Sequence, residues 1–90
     1  MLLDENFLKI VKEPIHTVWD AIGMDVIEEN PKSPNDACID ACIDSDSIVT
    51  FAEDKDKVEA RKVNDLIVKA IKKYGYNEVI EFLCKHIKLN

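Results

Sequence analysis

The 90-residue chain has few of the residues that interrupt regular structure, with only 2 Gly and 3 Pro. A turn-rich β-sandwich, a collagen-like chain and a flexible linker all need more of both, so these classes are excluded. No apolar run approaches the roughly 18–20 residues that span a bilayer. The opening residues MLLDENFLK also lack the pattern of a signal peptide. We therefore expect a single soluble, cytoplasmic domain over residues 1–90 that has no contact with a membrane.

Basic residues are outnumbered, since 12 Lys and Arg face 18 Asp and Glu, which gives a formal net charge of −6. The imbalance is concentrated in residues 20–59, which hold 12 acidic and 3 basic side chains. Residues 60–90 reverse it, with 7 basic and 3 acidic side chains. A negative field repels phosphate, so direct nucleic-acid binding is disfavoured. A basic protein surface, or the basic end of a second copy, is the partner that we expect.

Apolar spacing and helix-end signals predict an all-α fold, a compact bundle of about five short helices. The first two helices are expected at about 5–13 and 14–29, with Pro14 ending one and starting the next. Gly23 is a position for a kink or an early stop within the second. The third is expected to start at Ser33 and Pro34. Residues 45–55 are assigned as helical, because no second strand exists to pair with them.

The fourth helix shows the clearest helical spacing. Asp56 and Glu59 are placed as a capping box at its start, and Gly75 is placed as a left-handed cap at its end. Asn77 would then cap a fifth helix at about 78–88. Because so few residues join them, the fourth and fifth helices are predicted to form an antiparallel hairpin.

An acidic stripe is the leading candidate for function. Asp36, Asp40 and Asp44 recur every four residues, so on a helix they lie within an arc of about 80°. Like charges at this spacing destabilise a helix by a few tenths of a kcal/mol per pair. The stripe is either a solvated polar face or a binding surface for a macromolecular partner, which Asp46 would extend. The second interpretation predicts a non-enzymatic interaction or inhibitor protein, such as a DNA mimic or an antitoxin-like protein.

A basic ridge on the fourth helix supports an alternative hypothesis. Its residues lie opposite the apolar side of that helix, close in sequence to an aromatic residue at the following corner. They could hold a nucleotide or another small anion, or they could be a solvated exterior. The residues of this alternative anion site are Arg61, Lys69, Lys72, Lys73 and Tyr76.

The fifth helix suggests a further alternative, a structural homo-oligomer. Its apolar residues spread over about 220° of the circumference, whereas a core-facing stripe covers nearer 100°. Part of this arc would meet either the other helices or a second copy. Phe82 and Leu89 are the residues that we assign to self-association.

No arrangement in the sequence predicts catalysis, a cofactor or a metal site. Cys84 and His86 are two residues apart, about 200° around a helix, and cannot converge with Cys38 and Cys42 on one ion. Two glycines 52 positions apart cannot form a phosphate-binding loop. We therefore expect a protein that is not an enzyme, and we interpret the three cysteines as small core residues.

Overall fold

The structure is a computed structural model that describes residues 3–29, 31, 35–44 and 46–89, with only the backbone described at 35 and 36. Across these ranges the chain is helical and contains no strand, which confirms the predicted all-α class. A 3-10 turn at Asp54–Asp56 precedes the fourth helix. The helices are α1 (Glu5–Glu29), α2 (Asn35–Ile43), α3 (Ser47–Thr50), α4 (Lys57–Tyr74) and α5 (Tyr76–His86).

Helix α1 is continuous, so the predicted break at Pro14 is wrong. It begins as expected at Asp4, whose Oδ1 accepts a hydrogen bond of 3.1 Å from the Phe7 N–H. Proline in a helix interior is unfavourable by about 3 kcal/mol, because it removes a donor and its ring crowds the preceding turn. Packing offsets this penalty, since α1 buries one continuous side on both sides of the proline: Phe7, Val11, Ile15 and Val18.

Gly23 does not end α1, which continues for six more residues to Glu29. Because glycine has only a hydrogen atom in place of a side chain, Gly23 leaves room for the aromatic ring of Trp19. A Cβ atom built at Gly23 would lie 3.0 Å from Cε2 of Trp19, one turn earlier in the helix. The glycine therefore allows the indole ring to lie flat along α1 and pack against the core.

The helical assignment of residues 45–55 is confirmed only at α3 and the 3-10 turn, because residues 51–53 are not helical and residue 45 lies outside the described residues. Lys57 ties these pieces together, because its Nζ donates to the carbonyls of Val49 at 2.6 Å and Thr50 at 3.2 Å. The predicted capping box is wrong, because Asp56 makes no side-chain hydrogen bond at the start of α4. The preceding 3-10 turn supplies a backbone bond there instead, from the Asp56 N–H to the Glu53 carbonyl at 2.8 Å.

Helices α4 and α5 form the predicted hairpin, joined by Gly75 alone. Gly75 has φ +92° and ψ 148°, a region that side-chain-bearing residues rarely adopt, so glycine is required at this corner. Its N–H donates to the Ile71 carbonyl at 2.8 Å, which closes α4. The conformation differs from the predicted left-handed cap, and α5 begins at Tyr76 without Asn77 as its cap.

One hydrophobic core links all five helices. Helix α2 packs between α1 and α5, while α3 packs on both α1 and α4. The largest fully buried side chains come from α1, α2, α4, α5 and the residues after α5: Phe7, Ile15, Ile39, Ile67, Leu83 and Ile87. The predicted start signal at Ser33 and Pro34 lies outside the described residues.

Candidate functional site

The structure places two residues of the acidic stripe, Asp40 and Asp44, on the side away from the core. Cys38, Ile39 and Cys42 are buried on the inner side, whereas Asp40 and Asp44 are exposed. Asp36 lies in the first turn of α2, one turn before Asp40 along the backbone. Asp44 follows the last residue of the helix, so the stripe reaches the corner between α2 and α3.

That corner is fixed by local hydrogen bonds. The Ser47 N–H and the Ser47 Oγ both donate to the Asp44 carbonyl, at 3.0 Å and 2.6 Å. Asp46 follows with φ +62°, and its Oδ1 accepts a hydrogen bond of 3.2 Å from Asn64 Nδ2 on α4. The fourth predicted binding residue therefore has a partner within the chain and lies toward α4, out of line with the stripe.

The basic residues of the ridge are exposed along α4 but do not all meet at one point. Arg61 and Lys72 are eleven residues apart, about 16 Å along the helix axis, so one phosphate cannot contact both. Lys73 Nζ lies 5.4 Å from the ring centre of Tyr74, within cation–π distance. Tyr76 is exposed at the start of α5 and Lys69 is exposed on α4. The five residues therefore form an extended ridge, in which Lys69, Lys72 and Lys73 are neighbours one turn apart.

The two self-association residues are in different environments. Phe82 is half-buried, with its ring centre 6.2 Å from that of Phe7 and 4.8 Å from that of His86. Leu89 is only 9 % exposed and belongs to the chain's own core. Little of Leu89 is therefore exposed for contact with a second copy, and its assignment to self-association stays a prediction. Much of the wide apolar arc of α5 is explained by packing inside the chain.

A cleft between α1, α3, the 3-10 turn and α4 was not anticipated from the sequence. Its volume is about 570 Å³, and we call it the α1–α4 cleft. Its floor is apolar and is formed by Ile10, Pro14, Ile48, Ala52, Ala60 and Val63. Four carboxylates line it, Glu13, Glu53, Asp56 and Glu59, together with Lys9 and Thr17.

Sequence patterns could not combine these residues, because they come from three separate segments. One signal was present: Ile10 lies off the buried side of α1 and is 48 % exposed. A large apolar residue outside the core-facing side of a helix indicates a surface with some further contact, although single cases are common.

The buried thiol of Cys42 is chemically quiet. Burial, and secondarily the neighbouring Cys38, raises the pKa of the Cys42 thiol from 9.0 to about 12. The thiolate is the reactive form, so Cys42 is a poor nucleophile at neutral pH. Within the described ranges, no three His, Cys, Asp or Glu side chains come together as metal ligands. Nor is any described helix long and apolar enough to span a membrane.

Comparisons with models of known protein families, with curated proteins and with solved structures gave no match to this chain. The case for a function of the acidic stripe or of the α1–α4 cleft therefore depends on the residues that form each surface.

Proposed function

We propose that this is a non-enzymatic binding protein whose acidic stripe holds a basic macromolecular partner. The observation that supports the proposal is the exposure of Asp40 and Asp44 on a helix whose opposite side is buried. Regularly spaced carboxylates resemble the phosphates of a nucleic-acid strand. An inhibitor of a nucleic-acid-binding protein is therefore one form that this function would take.

The charges of the stripe repel one another along the helix that carries them. Like charges four residues apart cost a few tenths of a kcal/mol per pair, and Asp44 lies at the negative end of the α2 dipole, whereas Asp36 in the first turn is favoured by the positive end. With nine residues, α2 is also too short to be stable alone. Its buried residues Cys38, Ile39 and Cys42 hold it in place. Asp40 and Asp44 stay exposed to solvent, where a basic partner can approach them.

The overall charge favours the same class of partner. Residues 20–59 carry most of the acidic excess, and the whole chain has a net charge of −6. Such a field accelerates encounters with a positively charged protein and suppresses contacts with nucleic acid. We place this binding in the cytoplasm, where reducing conditions keep cysteines as thiols.

A capture experiment with a charge-matched control tests the proposal. Immobilised wild-type protein and two triple variants are exposed to lysate of the native host, and retained proteins are quantified by mass spectrometry. Each triple variant changes the net charge from −6 to −3. The stripe variant is Asp36→Asn, Asp40→Asn and Asp44→Asn, and the control variant is Asp65→Asn, Glu78→Gln and Glu81→Gln.

A basic protein retained by the wild type and the control, but lost from the stripe variant, is the expected result. Circular dichroism should show that both variants keep the helical content and melting temperature of the wild type within a few degrees. If every retained protein responds equally to the two variants, binding depends on net charge alone and the stripe is not the site.

A further inference from the structure

We infer that the α1–α4 cleft is the docking site for a basic amphipathic segment of the protein partner. An apolar side chain of that segment lies on the cleft floor, and the lysine or arginine side chains beside it reach the carboxylates at the edge. This inference rests on the proposed function, because it names a second surface by which a basic partner is held.

The floor of the cleft has the size and composition of a binding site. Binding pockets are mostly apolar and measure about 300–1,000 Å³, and the volume here is about 570 Å³. Of the floor residues, Ile48, Ala60 and Val63 are buried, while Ile10 is still 48 % exposed. An apolar group entering the cleft would therefore remove Ile10 from water.

The charges around the floor select a cation. Four carboxylates and one amine line the cleft, so its edge carries a net negative charge. Glu53 Oε2 lies 3.4 Å from Lys55 Nζ, and Glu59 Oε1 lies 3.3 Å from Lys62 Nζ, but both ion pairs are exposed to solvent. Surface ion pairs are worth about 0–1 kcal/mol. A partner's ammonium or guanidinium group can therefore join or replace them at little cost, whereas a phosphate would be repelled.

The test uses two variants that carry the same two substitutions, isoleucine to serine and glutamate to glutamine, at different positions of α1. The cleft variant is Ile10→Ser with Glu13→Gln, and the control is Ile27→Ser with Glu28→Gln. Ile27 lies on the same helix and is 46 % exposed, close to the 48 % of Ile10. Both variants lose one negative charge and one exposed isoleucine, so helix propensity, net charge and composition remain matched.

The probe is a 14-residue amidated helical peptide of leucine and lysine with its leucines on one side. A peptide of the same composition with the leucines scattered serves as the charge-only control. Affinities come from isothermal titration at moderate salt, and amide shifts of the ¹⁵N-labelled protein locate the bound peptide. We expect the cleft variant to weaken binding about tenfold. The control variant should stay within twofold, and shifts should concentrate at Ile10, Ala52 and Ala60.

Equal weakening by both variants, or equal binding of the two peptides, would show that net charge alone attracts the peptide and would overturn the inference. A dimer that dissociates with the cleft variant would make a second copy the occupant and would also overturn it. The stripe is judged separately by lysate capture. If the stripe variant loses its partner while the cleft variant binds lysate and peptide as the wild type does, the proposed function stands and this inference fails. If only the cleft variant loses binding, the cleft stands and the stripe fails.

Discussion

Replacing Pro14 by alanine should stabilise the protein, because the structure places this proline inside a continuous helix. In α1 the residue is the tenth of 25, far from either end. Alanine would supply the missing N–H to the Ile10 carbonyl and would relieve the crowding between the proline ring and the preceding turn. The sequence-based interpretation makes the opposite prediction, since it places Pro14 at the first turn of a separate helix, where proline is favourable.

The magnitude follows from three terms. Proline in a helix interior is about 3 kcal/mol less favourable than alanine. Alanine gives the unfolded chain more freedom, which reduces the gain by about 0.4–1 kcal/mol. The half-buried proline ring also packs in the cleft, and its loss removes about 0.5 kcal/mol of apolar contact. The expected gain in the free energy of unfolding is therefore about 2 kcal/mol, which would raise the melting temperature by roughly 10 °C in a domain of this size.

Urea unfolding followed by circular dichroism, together with a thermal melt, measures this gain. Pro31→Ala is the control, because Pro31 lies outside the helices and reports the unfolded-state term alone. That control should be destabilised by about 0.4–1 kcal/mol. If Pro14→Ala lowers stability by a similar amount, the helix is interrupted at Pro14 and the packing argument for a continuous α1 is refuted.

Gly23→Ala should gain less than the usual 1 kcal/mol for this exchange in a helix, because the new Cβ would lie 3.0 Å from the Trp19 ring. A gain of the full 1 kcal/mol or so in the free energy of unfolding, with unchanged tryptophan fluorescence, would contradict this contact. Cys42, with its pKa raised to about 12, should react with iodoacetamide at pH 8 about a thousandfold more slowly than a thiol of ordinary pKa. Rapid labelling of Cys42 in the native protein, measured by peptide mass spectrometry, would refute its burial. Lys57→Met should lower the free energy of unfolding by about 1–2 kcal/mol, since two α3 carbonyls lose their charged donor. A change below 0.5 kcal/mol in urea unfolding would show that this contact is dispensable. Nucleotides at millimolar concentration should leave the melting temperature within about 1 °C, because the basic ridge does not converge on one anion. A larger shift that Lys69→Ala abolishes would revive the anion-binding alternative.

Helical spacing predicted most of the fold because it reflects burial directly. The apolar positions of α4 and the glycine after it located the hairpin with α5, and Asp4 was identified as the residue that starts α1. The Pro14 break was wrong for a physical reason. A local preference worth about 3 kcal/mol was outweighed by four buried side chains along α1, each worth about 1.5–3 kcal/mol when fully buried. Spacing shows which residues share a side, but it does not weigh that side against one unfavourable residue.

The candidate functional surfaces also include one part that helical spacing predicts and one part that it does not. The acidic stripe is periodic within one segment, so its exposed position on α2 followed from spacing. The cleft is formed where α1, α3 and α4 meet, and no local pattern contains that meeting. Asp46 illustrates the limit, because its hydrogen bond reaches Asn64, 18 residues away. Leu89 illustrates the same limit, since only the packed structure reveals that the residues after α5 enter the core.

The stripe and the cleft would contribute differently to one complex. Exposed carboxylates act through a field that salt screens, over about 10 Å at 0.1 M and about 3 Å at 1 M. The apolar floor of the cleft acts at contact and keeps its strength as salt rises. The two surfaces adjoin α3, whose start is bonded to Asp44 and whose Ile48 forms part of the cleft base. A basic amphipathic partner would thus be attracted by the first surface and retained by the second. The division gives a physical reason for carboxylates to surround an apolar cleft.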